Sequence, residues 1–253
     1  MEAAPEAKPG GSTGLDRPAF YALNPGGWRD LVTLLHPPYT AWNLANVAIG
    51  AALATHFSMY RLGATLVAFF LAVGIGAHVL DELAGRPLGT QLSRRTLITL
   101  AVTSLAGAAA IGVYGAATVS LTLIPFVLAG TFFVPAYNLE WFGGRFHTTF
   151  WLAVGWGAFP VITSYWANAL ELRLSALFAA CGCASLLVAQ RSLSTPVREL
   201  RRRTLSLSGE QQLADGSTVR LEAARLAAPM ERALMACATG MVLIATGLVA
   251  ARL

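Results

Sequence analysis

The run TLITLAVTSLAGAAAIGVYGAATVSLTLIPFVLAGTFFVPAYNL, residues 96–139, contains no Asp, Glu, Lys or Arg. A helix needs about 20 mainly apolar residues to cross a bilayer, so this run is long enough for two crossings. Four further runs without these residue types lie at 62–80, 146–170, 174–190 and 233–251. The chain is 55% apolar and 12% charged, whereas soluble proteins are about one quarter charged. The sequence therefore predicts a polytopic helical membrane protein.

The fold class predicted from these runs is an all-α membrane bundle of seven transmembrane helices, with an eighth element left open at 31–39 or 222–231. The long run is divided at the weak point Tyr114-Gly115-Ala116-Ala117-Thr118. The seven predicted spans are 40–59, 61–83, 96–116, 118–138, 148–167, 172–190 and 231–251.

The positive charges predict the orientation and the partners. Lys and Arg concentrate on the cytoplasmic side of membrane proteins, and an N-terminus inside the cell places fifteen of the eighteen there. The net charge of +5 then needs no nucleic-acid partner and favours contact with anionic membrane lipids. Residues 1–30, rich in Gly, Pro and Ala, are predicted to be a disordered cytoplasmic tail, and 31–253 a single transmembrane domain.

A polar cytoplasmic loop is predicted at 191–230, with a small β-hairpin inside it. Residues 204–208 and 218–222 each alternate apolar and polar side chains, and Asp215-Gly216 is a turn signal between them. We therefore expect a two-stranded hairpin near 204–222.

Ionisable residues gather at the inner end of the second predicted span, where His78, Asp81 and Glu82 stand close together. Residues three and four apart share a helix face, so His78 projects beside both acids. Such a group could hold a divalent cation or bind a polar headgroup. In the alternative interpretation it is a helix-end cluster that pairs with nearby arginines, namely Arg86, Arg94 or Arg95.

A second polar group follows at the inner end of the fourth predicted span. It contains Tyr137, Asn138, Glu140, Arg145 and His147. The alternative interpretation is an interfacial aromatic belt with a local ion pair. Together the two groups predict a cavity open to the cytoplasm.

Asn43 and Asn46 add polar groups to the same side, from the first predicted span. They are candidates for binding a substrate, but for these two residues taken alone hydrogen bonding between helices is the favoured role.

At these residues the chain resembles the UbiA superfamily of membrane prenyltransferases. In that family an acidic motif ends the second helix and is followed by Arg-Pro-Leu, a Ser and basic residues. The corresponding segments here are His78-Val79-Leu80-Asp81-Glu82, Arg86-Pro87-Leu88 and Ser93-Arg94-Arg95, and Tyr137-Asn138-Leu139 resembles a Tyr-Pro-Leu stretch of the family. The second acidic motif is represented only by Glu199 within 189–199.

The resemblance implies a UbiA-like fold and an enzyme that acts on an isoprenoid diphosphate. Magnesium bound by carboxylates would neutralise the leaving diphosphate. It implies catalytic roles for Asp81, Glu82 and Tyr137, metal ligation by His78 with the two acids, and substrate binding by the polar residues around them. Those residues are Asn43, Asn46, Arg86, Arg94, Asn138 and Arg145.

Three hypotheses follow from the sequence. The first is a UbiA-type prenyltransferase, or a related enzyme that releases diphosphate from an isoprenoid. The second is a lipid-binding or assembly protein that keeps the bundle without the chemistry, which the missing second acidic motif favours. The third is a different metal enzyme with a mixed site, built from His78, Asp81, Glu82, Glu140 and His147, of a type that suits iron, manganese or zinc.

Overall fold

The computed structural model describes residues 15–253, and they form a helical bundle with one small sheet. The helices are α1 (Trp28–Leu34), α2 (Pro37–Leu53), α3 (Met59–Phe69), α4 (His78–Gly85), α5 (Arg94–Thr118), α6 (Ile124–Asn138), α7 (Trp141–Gly144), α8 (Thr149–Leu152), α9 (Phe159–Ala169), α10 (Leu174–Arg202) and α11 (Ala223–Ala250). Of these, α7 is a single irregular turn, because Phe142 and Gly143 have left-handed φ values of 57° and 68°.

Five continuous helical segments of the described chain are long and apolar enough to cross a membrane. They are Met59–Gly85, Arg94–Thr118, Leu121–Asn138, Leu174–Arg202 and Ala223–Ala250. Their outward faces carry exposed large apolar side chains such as Leu128, Phe178 and Leu243. A bundle that exposes so much apolar surface fits lipid as its surroundings, which supports the predicted membrane location. Seven spans were predicted, and that number stays a prediction.

Two π-helical stretches interrupt the α-helices, one of them inside the long segment Met59–Gly85. Phe70–Ala77 joins α3 to α4, and Ala153–Ala158 joins α8 to α9. Both stretches are rich in Gly and Ala. Such π-helical turns are rare and frequently occur at functional sites.

The bundle is organised around α2, which packs against α9 and α11. Small residues allow close contact: a Cβ added at Gly50 would lie 2.2 Å from the carbonyl oxygen of Val161. Trp42, Val161 and Met241 form part of the apolar core between these helices. Because α2 is enclosed in this way, its polar side chains must find partners inside the bundle.

One end of the bundle, here called the basic end, is where α4, α6 and α10 finish and where α2, α5 and α11 begin. It also carries the hairpin. The predicted two-stranded sheet is confirmed, with β1 (Glu210–Gln212) antiparallel to β2 (Thr218–Arg220). The first strand lies nearer the turn than the predicted 204–208. The reason is that α10 continues to Arg202 and the Thr204 hydroxyl donates to the Glu199 carbonyl at 3.0 Å, which ends that helix.

The polar loop is shorter than the predicted 191–230 and covers 203–222. α10 extends well past residue 190, and α11 begins at Ala223 with a run of strong helix formers rather than near 231.

The predicted disordered tail lies partly outside the described residues, which begin at 15. Residues 15–30 are part of the folded domain: Ala19 and Ala22 are buried. The Arg202 Nε donates to the Pro18 carbonyl at 3.0 Å. Asp30 accepts from the backbone N–H groups of Gly26 and Gln91, both at 3.0 Å. Composition suggested disorder, but these contacts with α10 and the 86–92 loop hold the segment in place.

Candidate functional site

A polar cavity of about 640 Å³ opens within the basic end. It lies between the N-terminal segment, α2, α4, α6 and α10. The predicted site residues that line it are Asn43, His78, Asp81, Tyr137, Asn138 and His147. Members of both polar groups found in the sequence are therefore brought to one cavity.

Three arginines of α10 line the same cavity: Arg191, Arg198 and Arg202. Their spacing of seven and four residues puts them on one face of the helix. Within residues 15–253, none of the three lies within salt-bridge distance of a carboxylate. Their hydrogen-bond partners are neutral: the Arg191 guanidinium donates to the Tyr137 hydroxyl at 2.7 Å and that of Arg198 to the Thr195 hydroxyl at 3.2 Å. The cavity thus has a cationic wall.

These arginines line the candidate site and were missed as site residues by sequence reasoning. They were counted among the charges that orient the chain, and their helical spacing was the signal that could have identified a shared face. The acidic residues on the cavity lining are Asp81 and Glu199, so positive side chains outnumber them. Such a surface attracts anions.

Tyr137 stands at the inner side of the cavity between two rings. Its ring stacks on His147 with centroids 4.4 Å apart and lies 4.6 Å from that of Trp156. Since Arg191 donates to its oxygen, the Tyr137 hydroxyl keeps its own proton for a ligand. His147 is fixed in turn by a 3.0 Å contact of its Nδ1 with the Tyr137 carbonyl.

His36 and His78 form a stacked pair on the opposite side, with ring centroids 4.1 Å apart. The Tyr21 hydroxyl and the His36 Nδ1 share a hydrogen bond of 2.6 Å. Burial, and next the proximity of His78, hold the pKa of His36 well below its usual value. Burial likewise raises the pKa of Tyr21 well above its usual value. At neutral pH the side chains of His36 and Tyr21 are therefore uncharged. The positive charge of the cavity comes from the arginines of α10.

Glu82 is not among the residues that line the cavity, although it was predicted to be a metal ligand and a catalytic residue; those roles stay predictions. It is fully buried. Its Oε2 accepts from the Leu88 N–H at 3.0 Å, and its Oε1 accepts from the Thr90 N–H and hydroxyl at 2.8 and 2.9 Å. Arg86 secures the same loop by donating to the Thr90 and Leu92 carbonyls. Both side chains shape the 86–92 loop.

The other predicted residues lie outside the polar cavity. Arg94 and Arg145 are exposed, and the Glu140 side chain is 66% exposed. Asn46 is buried and donates to the Trp156 carbonyl at 3.1 Å. The alternative interpretation of Asn46, a hydrogen bond between helices, is the one observed.

The predicted metal ligands have different surroundings, and metal binding by them stays a prediction. Among residues 15–253, no group of three or more His, Cys, Asp or Glu side chains is arranged to hold a metal ion. Glu82 is committed to the loop, and the His78 Nδ1 lies 3.1 Å from the Gly74 carbonyl. The mixed site of the third hypothesis is also divided, because Glu140 points to the surface and Glu82 away from the cavity.

An apolar groove of about 220 Å³ runs beside the polar cavity between α3, α5, α6 and α9. Val73 and Trp156 line both spaces, so the two are adjacent at these residues. Both residues belong to the π-helical stretches. The Trp156 carbonyl accepts from the Asn43 and Asn46 side-chain amides at 3.0 and 3.1 Å, which fixes the junction. A polar cavity joined to an apolar groove fits an amphiphile.

Among protein-family models, curated proteins and solved structures, none matches this chain.

Proposed function

We propose that this membrane protein binds an isoprenoid diphosphate, with the headgroup in the polar cavity and the chain in the apolar groove, and releases diphosphate from it. The observation that carries the proposal is the wall of three arginines next to an apolar groove. In the proposed orientation the cavity opens to the cytoplasm.

The arginines supply what a diphosphate leaving group requires. A guanidinium is always charged and binds phosphate oxygens through paired hydrogen bonds. When the bond between the allylic carbon and oxygen breaks, the electron pair leaves with the diphosphate. Fixed donors at that point stabilise the charge that develops. Arg191, Arg198 and Arg202 provide these donors, and Tyr137 adds a hydroxyl.

The junction between cavity and groove suits the cation that remains on the isoprenoid. Aromatic faces attract cations, and the rings of Tyr137 and Trp156 meet at this junction. Asp81, on α4, lines the cavity and supplies a carboxyl group. The cation is then consumed by a nucleophile, in prenyl transfer, or by loss of a proton.

Binding is tested by the shift in unfolding temperature of the purified protein with farnesyl diphosphate, farnesol and inorganic diphosphate. We expect farnesyl diphosphate to stabilise most, since it fills both spaces, and to do so in EDTA. Arg198→Gln removes a charged donor that is worth about 1.5–3 kcal/mol, so binding weakens about 10- to 100-fold.

The matched control is Arg95→Gln, which removes an equal charge from an exposed residue outside the cavity. It should leave binding unchanged. Equal losses from the two variants, or no stabilisation by farnesyl diphosphate, would overturn the proposal.

A second candidate function is lipid binding without chemistry. This function is favoured by the position of Glu82, whose carboxylate accepts hydrogen bonds from the 86–92 loop instead of facing the cavity. The carboxylate is therefore not directed at a ligand in the cavity. Release of diphosphate separates the two functions: an enzyme releases it and slows on Asp81→Asn, whereas a binding protein retains farnesyl diphosphate intact in both forms.

A further inference from the structure

Two segments of the chain carry nearly the same short sequence. Residues 69–77 read FFLAVGIGA and residues 150–158 read FWLAVGWGA, so seven of the nine positions are identical. Each copy contains one of the two π-helical stretches, and the stretches end at the equivalent residues Ala77 and Ala158. Because π-helical turns are rare, agreement in both sequence and conformation indicates an internal repeat.

The helices on either side of the two copies follow the same order. In the first half of the bundle, α2 is followed by the helical segment 59–85 and then by α5. In the second half, α6 is followed by the helical segment 149–169 and then by α10. The separation between the two copies carries Arg94, where α5 begins, to within one residue of Leu174, where α10 begins. The repeat therefore extends over three helical segments in each half.

Each π-helical stretch packs against the third helix of its own half. A Cβ added at Gly76 would lie 2.7 Å from the Leu105 side chain of α5. A Cβ added at the equivalent Gly157 would lie 2.6 Å from the Ala184 backbone of α10. Equivalent glycines thus make close contacts with equivalent helices, which supports the repeat independently of the sequence.

The two halves of the bundle run in opposite directions, because α2 and α5 begin at the basic end whereas α6 and α10 finish there. Inverted repeats of this kind are typical of membrane transporters, in which the substrate binds between the repeats and interrupted helices in corresponding positions mark the site. Rocking of one repeat against the other then opens the site alternately to the two sides of the membrane. The π-helical stretches are the corresponding interruptions in this chain.

The polar cavity and the apolar groove lie at equivalent places in the two halves. The cavity lies against α10 and opens at the basic end, whereas the groove lies against α5 and extends to Tyr60 and Thr118 at the opposite end. Their volumes are about 640 Å³ and about 220 Å³. The structure is therefore open at the basic end and narrow at the other, and the two spaces meet at Val73 and Trp156.

From these features we propose that the protein carries an anion with a phosphate or diphosphate group across the membrane by alternating access. This activity goes beyond the proposed function, because it needs the cationic wall but no release of diphosphate. The wall binds the anion through paired hydrogen bonds from its guanidinium groups. The two halves then exchange conformations about the π-helical stretches, so that the cavity closes at the basic end and the groove opens at the opposite end.

Transport is measured in proteoliposomes that enclose alkaline phosphatase, which releases phosphate from either of two probes. Inorganic diphosphate or farnesyl diphosphate is added outside, and the phosphate formed inside is followed in time. We expect uptake of at least one probe, faster than in vesicles without the protein. Uptake of inorganic diphosphate identifies a free anion as the transported molecule, and uptake of farnesyl diphosphate alone identifies a lipid headgroup. Uptake of neither probe overturns the proposal.

Two glycine variants test the role of the π-helical stretches as hinges. A Cβ added at Gly155, inside the second stretch, or at Gly182, in α10, has open space around it, so both variants should fold like the native protein. Gly155→Ala holds its stretch more firmly in a helical conformation and should slow uptake about two- to fivefold. Gly182→Ala should leave uptake unchanged, and equal rates in the two variants would contradict a hinge at this stretch.

Thiol labelling tests access to the junction from the two sides of the membrane. In a protein whose three cysteines are replaced by Ala, Val73→Cys is treated with a membrane-impermeant maleimide from either side of sealed vesicles. We expect labelling from both sides, whereas Thr195→Cys, which lines the cavity alone, should be labelled only from the basic end. Labelling of Val73→Cys from the basic end alone, or labelling from the opposite side that Gly155→Ala does not slow, would overturn alternating access.

The failures of the two proposals are distinguishable. If the protein binds and cleaves farnesyl diphosphate but neither probe enters the vesicles, the transport inference is wrong and the proposed function stands. If a probe enters the vesicles and the purified protein releases no diphosphate from farnesyl diphosphate, the proposed chemistry is wrong and the transport inference stands.

Discussion

Replacing Glu82 with Gln separates a structural role from a metal-binding role. The carboxylate receives three hydrogen bonds from the 86–92 loop, at 2.8–3.0 Å, in a fully buried position. A Gln can accept through one oxygen only, and its amide group would then face a backbone N–H of Leu88 or Thr90. The change keeps the size of the side chain, so any effect comes from charge and hydrogen bonding.

The magnitude follows from the bonds that are lost. A hydrogen bond to a charged group contributes about 1.5–3 kcal/mol, and an unsatisfied buried N–H costs about 1–3 kcal/mol. We take about 3 kcal/mol as the net loss, since the loop can relax. For a chain of this size that corresponds to a decrease in unfolding temperature of about 6–12 °C.

The assay is thermal unfolding in detergent, with Asp81→Asn as the matched control one residue away. Asp81 lines the cavity, so its variant should unfold near the native temperature and differ only in diphosphate chemistry. The reasoning would be refuted if Glu82→Gln unfolded like the native protein and yet lost diphosphate binding or a bound metal.

Two other predictions concern pH and packing. The pKa of His36 in the folded protein lies well below its unfolded value of 6.5. At a pH between these two values only the unfolded state binds the proton. The free energy of unfolding therefore falls as the pH drops below 6.5, and His36 contributes up to about 1.4 kcal/mol per pH unit to this fall. The free energy of unfolding, measured at several pH values, should depend less steeply on pH in His36→Gln than in the native protein. The slope should be unchanged in His56→Gln, whose native side chain is exposed. Equal slopes in the native protein and both variants would contradict this prediction. Gly50→Ala forces a Cβ against the Val161 backbone and should cost about 3 kcal/mol. Gly63→Ala has open space and should be neutral or slightly stabilising, so similar unfolding temperatures for the two variants would be inconsistent with the packing of α2 on α9.

The sequence allowed the membrane helices to be predicted because their signal is local. A stretch as long as 96–139 without a charge is typical of membrane-spanning helices, and the Asp215-Gly216 turn indicated the hairpin. The helix ends were harder to place. Polar composition at 191–202 suggested a loop, but this stretch continues α10 and presents its arginines on one face.

The composition of the cavity could be predicted only in part. Asp81 and Tyr137 were identified because each sits in a short polar group at a helix end. Arg198 and Arg202 lie more than a hundred residues from Asp81 in the sequence, and only the packing of α10 brings them to the same cavity. The direction in which the Glu82 side chain points could not be predicted from the neighbouring sequence either. Its hydrogen-bond partners lie in the 86–92 loop, and the shape of that loop depends on Glu82 itself.

The π-helical stretch Phe70–Ala77 has a consequence for the way in which one helix serves two compartments. Val73 lies within it and lines both the apolar groove and the polar cavity, whereas Asp81 lies beyond it and lines the polar cavity alone. Each residue of an α-helix turns the chain by about 100°, whereas each residue of a wider π-helical turn rotates it by less. The π-helical stretch therefore sets the angle about the helix axis between Val73 and Asp81. Deleting one residue from this stretch would rotate Asp81 away from the arginines while leaving the composition of both faces intact. The direction in which Asp81 faces relative to the apolar groove is thus set by the number of residues between Val73 and Asp81 on a single helix.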